Sequence, residues 1–241
     1  MFIKLLGVLK AFIGILNPKK WGVLAETYAE TKFDFAFDIS WSQGGEDKGL
    51  ILAFEDLGVG TYVDVGAHHP SRFSVTRKLV NLGWSGVNID ANPESIKAFQ
   101  KVRPKDVNIW ACVGVEKQYK FTIFKEAALS TASSEWRSKF IEQNREISSE
   151  IVVPGISLRS VFDTYLGGEF PVLLCIDAEG TDLEVLQSAG IKNGFGPDWI
   201  LLEAAPPLRE VQRTPAVKYA LDLGYEIHLI LGMSTLLHKK S

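Results

Sequence analysis

The sequence predicts an α/β domain built on a doubly wound, mostly parallel sheet of seven strands. Apolar runs rich in β-branched residues alternate with helical patterns from Gly60 onward. These runs are almost continuously apolar, as expected of strands that are buried on both faces of a sheet. The last run is followed, after "GMS", by "TLLHK". That spacing predicts a terminal hairpin, and hence one antiparallel strand at the end of the sheet.

Seven segments are predicted to be strands. They are "TYVDV" (61–65), "SGVNID" (85–90), "VNIWACVGV" (107–115), "PVLLCID" (171–177), "DWILLEA" (198–204), "YEIHLIL" (225–231) and the closing "TLLHK". Helical patterns lie between them, near 73–82, 93–101, 157–166, 181–189 and 213–223. A single domain over residues 60–241 accommodates all of these elements.

Two regions depart from this alternation of strand and helix. Residues 21–59 contain "SWSQGGEDKGLI" and are predicted to form an N-terminal cap on the sheet. Residues 116–156 offer a short strand, "YKFTIF", and then a long polar segment. An insertion of this length between core strands is uncommon unless it is functional. It is predicted to be a flap beside the active site, and a solvated surface excursion is the alternative.

The N-terminal segment, residues 1–20, predicts an amphipathic helix. Lys4 and Lys10 interrupt its apolar run, so it is too polar to span a bilayer, and it has no small-residue cleavage site of a signal peptide. The helix ends at Asn17, before Pro18. Three partners for its apolar face stay open: its own domain, a membrane interface contacted by residues 1–17, and another protein.

Composition excludes some classes of function. Apolar residues make up 46% of the 241, which allows a large core, and the net charge of −3 gives no general attraction to nucleic acid. Cys112 and Cys175 lie in apolar runs without a C-x-x-C pair. They are predicted to be buried, reduced thiols, which is typical of a cytoplasmic protein.

Acidic residues mark the ends of four predicted strands, at Asp64, Asp90, Asp177 and Glu203. The carboxyl ends of parallel strands meet at one edge of a sheet, and ligands of such sheets bind there. One acid at a strand end is common. Four along the same edge predict a polar pocket.

The first two of these acids favour a nucleoside ligand. An acid at the end of the second strand, where Asp90 lies, is placed to accept hydrogen bonds from ribose hydroxyls. The first turn, "DVGAHHPS", has only Gly66 of the three glycines that a dinucleotide turn needs. It also has bulky His68 and His69, and Asp64 would repel phosphate. S-Adenosylmethionine fits better, because Asp64 can orient its ammonium group and Gly66 lets the chain turn beneath it. A nucleoside-binding oxidoreductase stays an alternative.

Three segments together resemble the FkbM family of S-adenosylmethionine-dependent methyltransferases. They are "YVDVGAHHPSRFS", "GWSGVNIDANPESIKAF" and "LLCIDAEGTDLEVL", and the resemblance covers about residues 60–205. It implies the class I methyltransferase fold, which is Rossmann-like, and O-methylation of a sugar or natural-product hydroxyl.

The resemblance also implies roles for individual residues. It implies that Asp64, Gly66 and Ala67 form the first cofactor loop and that Asp90, Ala91 and Asn92 form the ribose loop. His68, Cys112 and Asp177 are further predicted cofactor contacts. The stretch from Asp177 to Gly180 stands at the reacting end. The sequence departs from many relatives at His68, where Asn is frequent, and at Asp182, where Glu is frequent.

The proton acceptor has three candidates: Asp177, Glu179 and His68. Alternatively, Asp177 and Glu203 could hold a divalent metal such as Mg²⁺ that lowers the pKa of the acceptor. "DAEG" is also compatible with a plain strand-to-helix turn capped by Thr181.

The histidines are poor metal ligands on this pattern. His68 and His69 are consecutive, so their side chains diverge, and His69 is compatible with a simple helix-entry contact. His228 and His238 lie in late strands and are predicted to be structural or exposed.

The predicted enzyme methylates a hydroxyl of a saccharide or other small molecule in the cytoplasm, with peripheral contact at the inner face of the membrane. A homo-oligomer is compatible with the sequence. A non-catalytic S-adenosylmethionine-binding scaffold of a membrane-associated glycan assembly is the alternative.

Overall fold

A computed structural model describes residues 39–240, apart from 116, 193–194, 205–206 and 208–209. The predicted N-terminal helix, and with it the proposed membrane contact, lies outside the described residues. Chain contacts divide the protein into two units, Met1–Ser40 and Trp41–Ser241, and the site belongs to the second. In the described part of the chain, no helix is long and apolar enough to cross a membrane.

The helices and strands follow the predicted alternation. The helices are α1 (Glu46–Ala53), α2 (Arg77–Asn81), α3 (Pro93–Val102), α4 (Ser134–Glu142), α5 (Leu158–Tyr165), α6 (Asp182–Gln187) and α7 (Pro215–Asp222). The strands are β1 (Thr61–Val65), β2 (Ser85–Asp90), β3 (Val107–Trp110), β4 (Cys112–Val113), β5 (Gln118–Phe124), β6 (Ile147–Ile156), β7 (Leu173–Ile176), β8 (Trp199–Glu203), β9 (Tyr225–Leu231) and β10 (Ser234–Lys239).

Seven strands form the main sheet, in the order β3-β2-β1-β7-β8-β10-β9. The pairs among β3, β2, β1, β7 and β8 are parallel, while β10 is antiparallel to both of its neighbours. The predicted fold class and the terminal hairpin are therefore confirmed. The hairpin pattern alone did not show that β10 inserts between β8 and β9, so that β9 becomes the edge strand.

Alternate residues of the central strands enter separate cores on the two faces of the sheet. Val63 of β1 and Leu174 of β7 belong to one core, whereas Tyr62 and Leu173 belong to the other. This is the period-two alternation of a strand that is covered on both faces. It explains why the predicted strands are almost continuously apolar.

A second sheet of three strands, in the order β4-β6-β5, is built mainly from the insertion. The predicted strand 107–115 is in fact two strands, because the chain leaves the main sheet at Ala111, and Cys112 and Val113 then pair with β6. β6 itself was not predicted. Most of its side chains are exposed and many are polar, so it lacks the apolar pattern of a core strand.

The order of the main sheet opens a crevice between β1 and β7. The chain runs outward from β1 through β2 to β3 and then crosses to β7 on the other side of β1. Loops that leave the carboxyl ends of such neighbouring strands diverge, which is where open α/β sheets bind their ligands. All four predicted acids therefore lie at one edge.

Candidate active site

A cavity of about 280 Å³ lies at the carboxyl ends of the parallel strands. The predicted residues that line it are Gly66, His68, Asp90, Ala91, Asn92, Cys112, Asp177, Glu179 and Glu203. A smaller cavity of about 40 Å³ is lined by Asp64 and Ala67, and it shares Gly66, Phe73, Asp177 and Glu203 with the first. The structure thus gathers the predicted residues around two adjoining spaces.

Gly66 brings the loops after β1 and β7 into direct contact. Its φ angle is +74°, a conformation that side chains rarely adopt. A Cβ atom at this position would lie 1.7 Å from the carbonyl oxygen of Asp177. Only glycine therefore allows the floor of the crevice to close beneath a ligand.

Asp90 organises the cavity wall on the β2 side. Its carboxylate accepts hydrogen bonds from the backbone nitrogens of His68, at 2.8 Å, and Asn92, at 2.7 Å. Burial raises the pKa of Asp90 to about 6, although these two bonds oppose the shift. The group lines the cavity, so its remaining lone pairs can accept hydrogen bonds from hydroxyl groups of a ligand.

Asn92 starts the helix that follows. Its side chain accepts a hydrogen bond from the backbone nitrogen of Glu94 at 3.0 Å, and Pro93 occupies the first position of α3. The sequence "NIDANPES" is therefore a strand end joined to a capped helix, with its polar groups turned toward the cavity.

Asp64 lies beneath the first loop and does not line the main cavity. It is almost fully buried and accepts a hydrogen bond of 2.8 Å from the hydroxyl of Thr76. Burial raises its pKa to about 6, while Thr76 and nearby Arg103 oppose the shift. The structure thus gives Asp64 an anchoring contact, and its predicted bond to an ammonium group stays a prediction.

Three carboxylates meet at the ends of β7 and β8. Asp177, Glu179 and Glu203 each offer an oxygen atom, and these atoms lie within 4.8 Å of one another. The sequence pattern pairs Asp177 with Glu203 as metal ligands, and the structure adds Glu179. A divalent cation or a proton would relieve the repulsion among them.

The acids of this cluster retain protons more tightly than free carboxylic acids. Removal from bulk water raises the pKa of Asp177 well above its usual range, and the charges of Glu203 and Glu179 raise it further. Asp177 lines both cavities and keeps an exposed surface there. Burial likewise raises the pKa of Glu203, and Asp177 and Glu203 share a hydrogen bond. The pair therefore tends to hold one proton between them.

Glu179 combines a raised pKa with an uncommon backbone conformation. Burial and then the charges of Glu203 and Asp182 raise its pKa to about 8, while Lys139 opposes the shift. Its φ angle is +44°. A carboxyl group that titrates near neutral pH can accept a proton during a reaction.

The insertion holds the turn that carries Glu179. The hydroxyl of Thr131 donates a hydrogen bond of 2.8 Å to the carbonyl oxygen of Glu179. A Cβ atom on Gly180 would lie 1.8 Å from the indole of Trp136, so helix α4 packs directly on this glycine. The insertion also supplies cavity-lining residues, namely Tyr119, Phe121, Glu126, Ala127, Ala128, Leu129, Ser130 and Ala132. Sequence reasoning had singled out none of these residues, since only the length of the insertion gave a signal.

The consecutive histidines diverge, as predicted. Their ring centroids are 6.4 Å apart, and Nδ1 of His69 accepts hydrogen bonds from the backbone nitrogens of Ser71 and Arg72. Burial, with the charges of Arg72 and His69, lowers the pKa of His68 to about 4. His68 is therefore a neutral imidazole in the cavity wall, and His69 stabilises the following turn.

The remaining predicted side chains divide between the cavity and the sheet. Cys112 lines the cavity, where burial raises its pKa to about 12, so it forms an uncharged part of the wall. Cys175 is also buried, and both thiols are free. His228 and His238 pack against Trp199, with ring centroids 4.9 and 4.1 Å from that of the indole, and they do not line the cavity.

Thr181 precedes helix α6 without capping it by its side chain. Its hydroxyl donates to the carbonyl oxygen of Ala178 at 3.0 Å, and a carboxylate oxygen of Asp182 accepts from the nitrogen of Ala178 at 2.9 Å. The "DAEG" segment is therefore a strand-to-helix turn in which Asp182 fixes the backbone. That local role leaves the side chains of Asp177 and Glu179 directed to the cavity.

Residues 64–227 match the methyltransferase FkbM domain. This range spans more than half of the chain and contains every predicted residue of the site. A search of curated proteins returns no match to the sequence.

Solved structures also show distant similarity to the chain, and two of the three that follow are named as methyltransferases. Precorrin-6y C5,15-methyltransferase from Geobacter metallireducens GS-15 is 14% identical, with 87% of this chain and 95% of that chain covered and a TM-score of 0.41. A provisionally named RNA methyltransferase from Pyrococcus horikoshii is 10% identical, with coverages of 82% and 83% and a TM-score of 0.44. TehB from Haemophilus influenzae is 12% identical, with coverages of 89% and 67% and a TM-score of 0.35.

Proposed function

The chain belongs to the methyltransferase FkbM family, and we propose that it transfers a methyl group from S-adenosylmethionine to a hydroxyl of a saccharide or glycosylated metabolite. The observation that supports this most strongly is the cavity in which Gly66 and Asp90 meet the carboxylates of Asp177 and Glu179. One side of it suits a nucleoside and the other suits proton transfer.

The residues of the cavity fit the cofactor that the family implies. Gly66 leaves a space that a Cβ atom would fill, and Asp90 presents a carboxylate that can accept hydrogen bonds from ribose hydroxyls. Ala91 and Asn92 would flank the ribose, Cys112 would add apolar wall, and Ala67 and His68 would lie toward the methionine end. When bound, S-adenosylmethionine supplies a methyl group that its sulfonium has already activated.

The chain's own task is to orient the acceptor and to take its proton. Glu179 is the strongest candidate for the base, because its pKa of about 8 allows it to accept a proton near neutral pH. Asp177 and Glu203 share a hydrogen bond and lie beside Glu179, where they can orient the acceptor hydroxyl. The walls supplied by the insertion would limit the access of water, which strengthens these interactions.

The charge of the cavity favours an acceptor without negative charge. Five acids line it, namely Asp90, Glu126, Asp177, Glu179 and Glu203, and none of the described lining residues is Lys or Arg. An anionic sugar would be repelled by the members of this set that are ionised at neutral pH, such as Asp90, whose pKa is about 6. A neutral saccharide offers hydroxyls that donate to carboxylates.

A pair of matched sugars tests this proposal. Release of S-adenosylhomocysteine is measured with a panel of methyl glycopyranosides and with the uronate that corresponds to each. We expect turnover with at least one neutral glycoside and at least roughly tenfold less with its uronate, since a tenfold difference is about 1.4 kcal/mol. Equal or faster turnover with the uronate would contradict the charge argument. Cofactor binding without turnover on any sugar would favour the non-catalytic scaffold.

We also propose that the protein works in the cytoplasm. Two free, buried cysteines are compatible with a reducing compartment. Contact of residues 1–17 with the inner face of the membrane belongs to the same proposal and would bring the enzyme near lipid-linked acceptors.

A further inference from the structure

Three non-glycine residues in the left-handed backbone conformation line the same cavity. In the described part of the chain, such residues are His68 (φ +53°), Phe73 (φ +59°), Asn144 (φ +60°) and Glu179 (φ +44°). Asn144 is unremarkable, because asparagine adopts this conformation more readily than most residues. The other three all border the cavity. Strain of this kind persists only where the surroundings enforce it, and it concentrates at ligand sites.

Phe73 is the least expected of the three, and the chain on both sides of it is held by one buried guanidinium. Arg103 donates to the carbonyl oxygen of Pro70 at 3.1 and 2.7 Å, and to the hydroxyl of Ser74 at 2.7 Å. The backbone nitrogen of Ser74 also donates to the carbonyl oxygen of Trp41 at 3.0 Å. The loop therefore has little freedom to relax, and the conformation of Phe73 is imposed on it.

The ring of Phe73 remains accessible although its backbone is so firmly held. Phe73 is 42% exposed. The guanidinium of Arg72 lies 4.9 Å from its ring centroid, and the imidazole of His68 lies 6.2 Å away with an interplanar angle of 19°. Arg72 and His68 are hydrogen-bonded to each other at 3.2 Å, so they form one support for the ring. An accessible aromatic ring that is held firmly at the wall of a cavity can pack against a ligand.

The position of Phe73 points to the acceptor and not to the nucleoside. Phe73 lines both cavities, and so do Asp177 and Glu203. Asp90, Ala91 and Asn92, which would hold the ribose, line only the larger one. Phe73 is thus on the side of the carboxylate cluster, where the acceptor hydroxyl must lie for its proton to be taken.

We propose that the Phe73 ring, supported by His68, is the platform on which the acceptor saccharide stacks. A pyranose ring has apolar C–H faces and a polar rim, so a face can pack on the aromatic ring while rim hydroxyls reach the carboxylates of Asp177 and Glu179. This inference rests on the proposed function and deepens it. It makes Phe73 an acceptor-binding residue that selects cyclic sugars over linear alcohols of equal polarity.

The test compares three variants at Phe73 with a control. F73L removes the aromatic ring, F73Y keeps it, and F73G removes it while relieving the strain of the positive φ angle. Y165L alters an equally exposed aromatic residue at the end of α5, which does not line the cavity. The KM for a methyl glycopyranoside is measured together with the affinity for S-adenosylhomocysteine and the melting temperature.

F73L and F73G should each raise the KM for the glycoside by roughly three- to tenfold, the range of a lost aromatic contact, with affinity for S-adenosylhomocysteine unchanged within about twofold. F73Y keeps the ring and should raise the KM less than F73L does, whereas Y165L, which lies outside the cavity lining, should behave as the parent. F73G should melt at a temperature no lower than that of F73L, so that weaker binding of the acceptor cannot be attributed to unfolding. An unchanged KM, or an equal loss of S-adenosylhomocysteine affinity, would overturn the proposal.

Failure of the proposed function gives a different result. If the parent protein turns over no sugar, saturation-transfer NMR of the same glycoside with the S-adenosylhomocysteine complex tests the platform directly. Transfer to the ring C–H protons in the parent and its loss in F73L would support stacking without catalysis. No transfer in the parent would overturn the platform as well.

Discussion

The backbone nitrogen of His68 donates a hydrogen bond of 2.8 Å to the carboxylate of Asp90. This bond joins the loop after β1 to the end of β2. The second carboxylate oxygen of Asp90 accepts a hydrogen bond from the backbone nitrogen of Asn92. One carboxylate therefore fixes both loops that would enclose the cofactor. Its place at the cavity wall makes it the residue whose replacement tests cofactor binding most clearly.

Replacing Asp90 by Asn should weaken binding of S-adenosylhomocysteine by about 1.5–3 kcal/mol, the range for hydrogen bonds to a charged group. The amide keeps one accepting oxygen for the loops but loses the charge that would bind ribose hydroxyls. Titration calorimetry measures the effect. The control is Glu94→Gln on α3, whose exposed side chain bonds only Lys97 among the described contacts. Unchanged affinity in a folded Asp90→Asn protein would place the ribose elsewhere.

Replacing Glu179 by Gln should lower the rate of methyl transfer by ~10²–10⁴-fold and leave cofactor affinity nearly unchanged, as expected for loss of a positioned base. In the parent protein the rate should rise with pH toward the pKa of about 8 and then level off. Single-turnover rates between pH 6 and 9 measure both. If Asp177→Asn abolishes the pH dependence and Glu179→Gln retains it, the base is Asp177.

The same assay separates a base from a metal ion. If the carboxylate cluster acts through proton transfer alone, EDTA leaves the rate unchanged and added Mg²⁺ does not raise it. Inhibition by EDTA with rescue by Mg²⁺ would instead assign Asp177, Glu179 and Glu203 as ligands.

The free energy of unfolding should decrease as pH rises from 5 to 9 in the absence of ligand, although the lowered pKa of His68 acts in the opposite sense below pH 6.5. Burial raises the pKa of Asp64 and Asp90 to about 6 and that of Glu179 to about 8. The folded state therefore holds these protons more tightly than the unfolded state, and the stability that they contribute is lost as pH passes through the raised values. A group whose pKa is higher by one in the folded state than in the unfolded state contributes about 1.4 kcal/mol. Urea unfolding at several pH values measures this slope.

Glu179→Gln isolates one part of that slope. It should flatten the decrease between pH 7 and 9, because the neutral amide has no proton to lose, while Glu142→Gln on the exposed face of α4 should leave it as in the parent. A parallel curve for Glu179→Gln would mean that this carboxyl group ionises normally in the folded protein.

Deletion of residues 1–20 should abolish binding to anionic liposomes and preserve activity on a soluble acceptor. Each lysine near the surface, such as Lys4 or Lys10, adds at most about 1 kcal/mol of attraction, so binding of the intact protein should weaken in high salt. Co-sedimentation measures it. An intact protein that stays in the supernatant, or a deletion that unfolds the domain, would assign the segment to a protein contact.

The strands of the main sheet were predictable because their apolar pattern is local. β1, β2 and β9 begin and end at the predicted residues. β6 was missed because its exposed, polar residues are ordered by pairing with β5, a contact between distant parts of the chain. The break between β3 and β4 at Ala111 was missed for a similar reason. It depends on pairing with a second sheet, which the apolar run does not indicate.

The acids of the site were predictable because strand ends of a parallel sheet converge. Two features were not. Asp64 accepts a hydrogen bond from Thr76 beneath the loop, and this contact depends on how the loop folds. Phe73 and Thr131 owe their positions to backbone geometry and to packing of the insertion, and no spacing in the sequence encodes either.

Calorimetry of the intact protein with S-adenosylhomocysteine and with NAD tests the central claim most directly. A cavity built around Gly66 and Asp90 and lined by five acids, which disfavour phosphate groups, should bind S-adenosylhomocysteine at one site per chain and should not bind NAD. Binding of NAD without binding of S-adenosylhomocysteine would contradict the claim.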